Sequence, residues 1–364
     1  MITPVSTQAQ RAAFVRLPRQ LNRRGTYEPA GPTESALLSG SQPLSGTLTL
    51  RAWLAERGGD VVGRIALTTY PGDETTGYVG FLAATDDQGA AELFDVAAAA
   101  AAAEGRTALV GPVDASFWWR YRLKVTGFDE RPYFGEPLNP PSHVRWWQRA
   151  GYAETDRYRS VFTVRPDRNL VMPRFEQRAK LFESRGFEIR APRPAEWDQL
   201  LGDLHGLLGE LYADFPTYRS IPERTFRELF APMRLIADYS VLRMAYRDGR
   251  PEGFLVAFPD YGLGLASSRP RQLATLARHR WRSDRYVLLY LGARHAGLGS
   301  ALMHSFSAEM VRRRAAVIGA LSHVSKPTRG YGADQVRARN DYVLLRRELG
   351  GRVLCPPAGA GARR

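Results

Sequence analysis

Apolar residues recur along this chain with two spacings, and the spacings alternate. In AEWDQLLGDLHGLLGELYADF, residues Trp197, Leu200, Leu201, Leu204, Leu207, Leu208 and Leu211 fall three and four apart, which places them on one face of a helix. The stretch SALMHSFSAEMVRRR repeats that pattern, and an Ala-rich run over residues 87–104 has the same character. Between them lie short runs rich in β-branched and aromatic residues. A strand pair turning near Gly58 and Gly59, then GYVGFLAAT, TALVGPV and residues 158–164 occupy the first half. FEIRAP, a hairpin turning at Asp248-Gly249, YVLLYLGA and AVIGALSHV occupy the second. Further helices are expected over residues 117–124, 143–149 and 222–238, and a Gly/Pro/Ser-rich surface excursion over residues 25–45. The pattern predicts an α/β chain in which one cycle of strands and helices occurs twice.

Length agrees with two cores: 364 residues exceed what one hydrophobic core usually supports. The predicted division is a first domain over 1–165, a charged connector over 166–186, a second domain over 187–355, and a disordered tail, PPAGAGARR, over 356–364. With 44% hydrophobic residues the chain can offset its conformational entropy, which excludes wholesale disorder. The N-terminus lacks the apolar core of a secretion signal, and no run approaches the roughly 20 apolar residues of a spanning helix, so a cytoplasmic protein without a membrane partner is expected. The single cysteine, Cys355, excludes an internal disulfide and argues against thiol catalysis. No metal is expected, because His205 has no second ligand at a metal-binding spacing. Net charge changes the picture: 51 basic against 37 acidic residues give +14, which reflects either a solvated arginine-rich surface or a phosphate-rich partner.

The sharpest local signal is YVLLYLGARHAGLGSALMHSF, where an apolar strand runs through a glycine-marked turn into an amphipathic helix. A helix start offers unpaired backbone N–H groups and a positive dipole end, and Gly297 and Gly299 let a pyrophosphate approach without a Cβ in the way. Arg294 and His295 add donors. The expected anion and donor site is therefore Leu291, Gly292, Ala293, Arg294, His295, Ala296, Gly297, Leu298, Gly299 and Ser300. Arg294, Gly297 and Gly299 resemble the donor signature of the GNAT superfamily of acyl-CoA-dependent N-acyltransferases: Arg or Gln, two residues, Gly, one residue, then Gly or Ala. The runs FVRLPRQL, VVGRIA, GYVGFLAATDD, TGFDERPYFGEPLNPP and FPDYGLGL extend the resemblance to bacterial two-domain GNAT-like proteins. The resemblance implies tandem GNAT-like domains, each a mixed, mostly antiparallel sheet flanked by helices. It also implies an acyl-CoA donor, acetyl-CoA first, whose pantetheine arm pairs with residues 289–293, an N–H such as that of Leu291 or Ala293 polarising the thioester, and a small-molecule amine as acceptor.

Two departures from that pattern matter. The corresponding turn of the first half is Thr85-Asp86-Asp87-Gln88-Gly89, whose carboxylates suit helix capping and oppose phosphate, so that half is expected to have lost its donor site. In the second half Asn340 matches a GNAT asparagine, but Arg347 stands where a tyrosine would protonate the leaving thiolate. Candidates for proton transfer are Asp260 at a strand end, His323 at the end of the next strand, and Tyr342 on an expected helix after it. The acceptor is expected between the halves, near Tyr212, Asp214, Tyr218 and Tyr239. The run 269–285, with Arg269, Arg271, Arg278, Arg280, Arg282 and Arg285, carries more positive charge than coenzyme A needs. It opens an alternative in which the donor is an aminoacyl-tRNA gripped through its phosphates, with Trp118, Trp119, Trp146 and Trp147 as stacking surfaces. A third reading is a non-catalytic RNA- or nucleotide-binding protein on the same fold.

Overall fold

A computed structural model of the chain describes residues 1–21, 32–168, 170, 172–266, 269–281, 283–325 and 335–350. The expected tail and Cys355 lie outside them. The first run of elements is β1 (Ile2–Pro4), α1 (Gln8–Leu21), α2 (Pro32–Ser39), β2 (Thr49–Arg57), β3 (Asp60–Thr69), β4 (Thr76–Ala84), α3 (Asp87–Ala103), β5 (Ala108–Gly111), β6 (Val113–Asp114), β7 (Arg120–Tyr121), β8 (Leu123–Lys124), α4 (Ser142–Arg149) and β9 (Ala153–Thr163). After α5 (Pro173–Glu183) the cycle recurs: β10 (Phe187–Arg190), α6 (Trp197–Leu211), α7 (Glu223–Phe230), β11 (Arg243–Arg247), β12 (Arg250–Pro259), α8 (Arg269–Trp281), β13 (Arg285–Ala293), α9 (Leu298–Arg313), β14 (Ala316–His323) and β15 (Val336–Glu348).

Both cycles join one 13-stranded sheet in the order β1-β2-β3-β4-β5-β15-β9-β14-β13-β12-β11-β10, with β8 on β15. Its neighbours are antiparallel except at β4 with β5 and at β13 with β14. The last strand of each cycle crosses over. β15 sits between β5 and β9, pairing Leu345 with Gly111 and Tyr342 with Tyr158, while β9 borders β14 through Phe162 and Ile318. The apolar helix faces cover this sheet as the periodicity requires. Leu93, Phe94 and Ala97 of α3 pack with Trp147, and Leu298, Leu302 and Phe306 of α9 pack with Phe182 of α5. A third core joins the cycles, since Trp118 from the first and Leu200, Leu204 and Phe226 from the second lie in one cluster. No helix among the described residues is long and apolar enough to cross a membrane.

Three expected helices are corrected. Residues 117–124 form turns and the short β7 and β8, and Arg122 between the two strands takes φ of 89°, which a right-handed helix does not admit. Tyr342 lies on strand β15 and not on a helix: residues 336–342 alternate in burial with the period of a strand, and residues 342–345 are all buried where the strand has partners on both sides. The helix expected over 222–238 stops at Phe230 and tightens into a 3₁₀ turn over Ala231–Leu235, where Pro232 has no N–H to continue it.

Candidate functional site

The site forms where two parallel strands part. β13 and β14 pair only from Arg285 with Ala316 to Leu288 with Gly319. On its other side β13 follows β12 to Ala293, with a register shift between Val256 and Ala257 that leaves Leu289 without an opposite residue. Residues 289–293 therefore border a cavity of about 650 Å³, within the range of small-molecule sites. His295 and Gly299 close it at the turn, His323 borders it from the end of β14, and residues 117–122 form the facing wall.

At the turn, Gly297 takes φ of 91° as the cap of α9, a conformation glycine adopts without penalty. The Ser300 N–H binds the Gly297 carbonyl at 3.1 Å, and Leu298, Ala301, Leu302 and Phe306 are fully buried, so the helix start is rigidly held. The two basic residues of the turn are already committed. Arg294 places Nη2 2.6 Å from Glu210, a bond that raises its pKa, and His295 Nε2 lies 3.2 Å from Glu252. Arg178 of α5 instead lies against the glycine: a Cβ on Gly297 would meet its Cδ and Nε at 3.4 Å. Arg178 is exposed and makes no ion pair among the described residues. The segment expected to be a connector thus supplies a cation at the helix start.

The equivalent splay of the first half is filled. β4 and β5 pair from Thr76 to Tyr78, and beyond it Asp114 accepts the Phe81 N–H at 2.5 Å, while a Cβ on Gly80 would collide with the Val113 carbonyl. Asp86 caps α3 by accepting the Gly89 N–H at 2.7 Å. Asp87 accepts from Trp146 Nε1 and Arg145, which pull its carboxyl down to about 2. The space left there is about 60 Å³.

Of the proton-transfer candidates, the structure brings His323 to the cavity and leaves the other two away from it. His323 Nδ1 lies 2.7 Å from Ser325 Oγ and Nε2 3.3 Å from Asp156, with the ring edge-on to Tyr158. Asp260 is buried beside Arg285, at the end of β12 remote from the Arg294 turn, and accepts the N–H groups of Phe134 (2.8 Å) and Gly262 (3.0 Å). These bonds leave it a structural anchor. Tyr342 is fully buried, donates to Glu136 at 2.5 Å and is pushed well above the usual tyrosine range by burial. Asn340 donates to the same carboxylate at 2.9 Å. Of the expected acceptor residues, Tyr212 lines the cavity and donates to the Leu291 carbonyl at 3.3 Å. Asp214 is exposed outside it, and Tyr218 and Tyr239 pack on Trp118 and Trp197.

No family model matches this sequence, and no curated protein matches it. Among solved structures the chain is similar to a tandem GNAT protein from the clavulanic acid biosynthesis pathway, over 96% of this chain and 99% of that one, at a TM-score of 0.53 and 15% identity. It is similar at 0.54 and 13% identity to a GCN5-related glucosamine N-acetyltransferase region of a fungal multi-domain GH3 β-N-acetylglucosaminidase, over 95% of this chain and 38% of that one. A GCN5-related N-acetyltransferase from Anabaena variabilis matches at 0.51 and 9% identity, over 96% and 73%. The chain has the tandem GNAT fold.

Within this tandem GNAT fold the arginine-rich run becomes α8. Arg271 and Arg278 are exposed on it, Arg285 is turned inward to Asp260, and Arg282 with the side chains of Arg269 and Arg280 lies outside the described residues. Trp146 and Trp147 are buried against α3, and Trp118 and Trp119 face the cavity, so these four rings make no external stacking surface. His205 meets the Ile221 carbonyl at 2.8 Å, a packing role. Among the described residues no group of three or more His, Cys, Asp or Glu is arranged to hold a metal. Sequence reasoning missed Arg178, the place of Arg122 on the cavity wall and the bulge at Leu289. A glycine or asparagine would have marked the positive φ at 122, but an arginine stands there.

Proposed function

We propose that the protein is an N-acyltransferase that forms an amide on a small-molecule amine with acyl-CoA, acetyl-CoA first, as donor. In this reading the second half holds the donor and the first half has lost the capacity. One observation carries it: a parallel strand pair opens into a 650 Å³ cavity at a glycine-capped helix start beside the exposed Arg178. The N–H groups at the start of α9 and Arg178 suit the pyrophosphate, and residues 289–293 suit the pantetheine arm. The donor supplies a thioester carbonyl for the amine nitrogen to attack, with the C–S electron pair leaving on sulfur. His323, held by Asp156, borders the cavity where it can take the proton the ammonium must lose. Tyr212 stays protonated because burial raises its pKa, so its hydroxyl beside the Leu291 carbonyl holds a proton for the departing sulfur. It takes the place the sequence offered to Tyr342.

Thermal melts with acetyl-CoA, coenzyme A and bulk tRNA in parallel test this reading. Acetyl-CoA and coenzyme A are expected to raise the midpoint, by an amount equivalent to about 2.7 kcal/mol at a hundred times the dissociation constant. Stabilisation by tRNA alone, lost at high salt, would overturn it in favour of an aminoacyl-tRNA donor or a non-catalytic RNA binder.

A further inference from the structure

The cavity wall facing the donor strand carries arginines, and they differ in what neutralises them. Arg159 is paired with Asp341 at 2.7 Å and Arg120 with Glu34 at 2.6 Å. Arg122 lines the same cavity and has no carboxylate partner among the described residues. Its guanidinium lies over the rings of Tyr121 and Tyr158, 3.7 and 4.1 Å from their centroids, and donates to the Tyr121 hydroxyl. Its Nε is buried without a hydrogen-bond partner. The backbone at Arg122 holds φ at 89°, fixed by its N–H on the Pro112 carbonyl at 3.0 Å. A non-glycine residue in that region is strained and persists where surrounding structure imposes it, often at ligand sites.

Resting on the transferase reading above, we propose that Arg122 is the anion-binding subsite for the acceptor, and that the acceptor is an amine bearing a carboxylate, of the amino-acid class with a large apolar side chain. A half-buried guanidinium fixed between aromatic faces presents its remaining N–H groups in a fork that matches a carboxylate, and a neutral ligand would leave that charge uncompensated in an apolar cavity. Placement agrees with the chemistry. Arg122 and His323 both pack on the buried ring of Tyr158, at 4.1 and 5.1 Å from its centroid, and both line the cavity, so one small molecule can reach the guanidinium with its carboxylate and the imidazole with its amine. Phe117, Trp118, Leu204 and Phe226 line the rest of the cavity and receive an apolar side chain.

Isothermal titration of the full chain with L-phenylalanine, 3-phenylpropionate, phenethylamine and phenyl phosphate tests the proposal, with the acetyl-CoA melting shift recorded for each variant. The two carboxylates are expected to bind at least about tenfold more tightly than phenethylamine. Arg122→Gln removes that preference while leaving phenethylamine within about twofold, and Arg122→Lys, which keeps the charge but loses the fork, retains part of it. Equal binding of phenethylamine, a preference that survives Arg122→Gln, or binding of phenyl phosphate alone would overturn it. An intact acetyl-CoA shift without carboxylate preference sinks this subsite and leaves the transferase reading standing. Carboxylate binding through Arg122 without any acetyl-CoA shift does the reverse.

Discussion

Gly299→Asp is expected to weaken acetyl-CoA binding by about thirtyfold or more while the protein melts at or slightly above its original temperature. The second residue of α9 faces the place assigned to the pyrophosphate, and Gly299 lines the cavity there. At about 5 Å and an effective dielectric of 20–80, each added charge pair repels by about 1–3 kcal/mol, and a factor of ten in affinity is about 1.4 kcal/mol. A carboxylate at a helix N-terminus stabilises the helix itself by about 0.3–1 kcal/mol, so the fold and the donor respond in opposite directions. This is the arrangement the first half already displays, with Asp86 and Asp87 at the start of α3. Arg178→Ala is expected to lower the same affinity by about tenfold, with less effect at high salt. Arg294→Ala acts indirectly, by leaving Glu210 unopposed beside the turn, and removing Glu210 as well recovers part of the loss. Calorimetric titration of acetyl-CoA measures all of these; an unchanged dissociation constant in both Gly299→Asp and Arg178→Ala contradicts the placement.

The largest stability effect is expected at Lys124→Met. Lys124 Nζ lies 2.8 Å from Glu136 with both side chains almost fully buried, and the same carboxylate accepts from Asn340 and Tyr342 of β15. Removing one partner of a buried pair costs about 3–5 kcal/mol, because the remaining charge stays in the interior uncompensated. At about 2–4 °C per kcal/mol the melting midpoint falls by about 6–20 °C. Glu136→Gln, which still offers an acceptor to Tyr342, has a smaller effect on β15 but leaves Lys124 unpaired. A shift under about 2 °C in a thermal melt of Lys124→Met would show that this network does not hold the exchanged strand.

What could be read from the sequence divides along physical lines. The strand, turn and helix over residues 285–313 were legible because strand pattern, glycine spacing and helix periodicity all act within 30 residues of one another. The capping of α3 by Asp86 was legible for the same local reason. The exchange of β9 and β15 was not: a strand's pattern states that it is paired but not with what, and VRARNDYVLLRRE mixes charges into its alternation. That exchange also decides Tyr342, which pairs with Tyr158 and faces Glu136 instead of the cavity. Arg122 was hidden because its left-handed backbone is imposed by neighbours and not by its own residue type. Arg178 was hidden because it is one of five charged residues among the eleven of α5, whose buried residues are only Phe175 and Phe182.

A crystal structure of the full chain with coenzyme A tests the central claim most directly. The phosphates are expected against residues 297–300 and Arg178, with the pantetheine arm along residues 289–293 in the gap between β13 and β14. Phosphates seated at the start of α3 beside Asp86, with the second gap free, would contradict it.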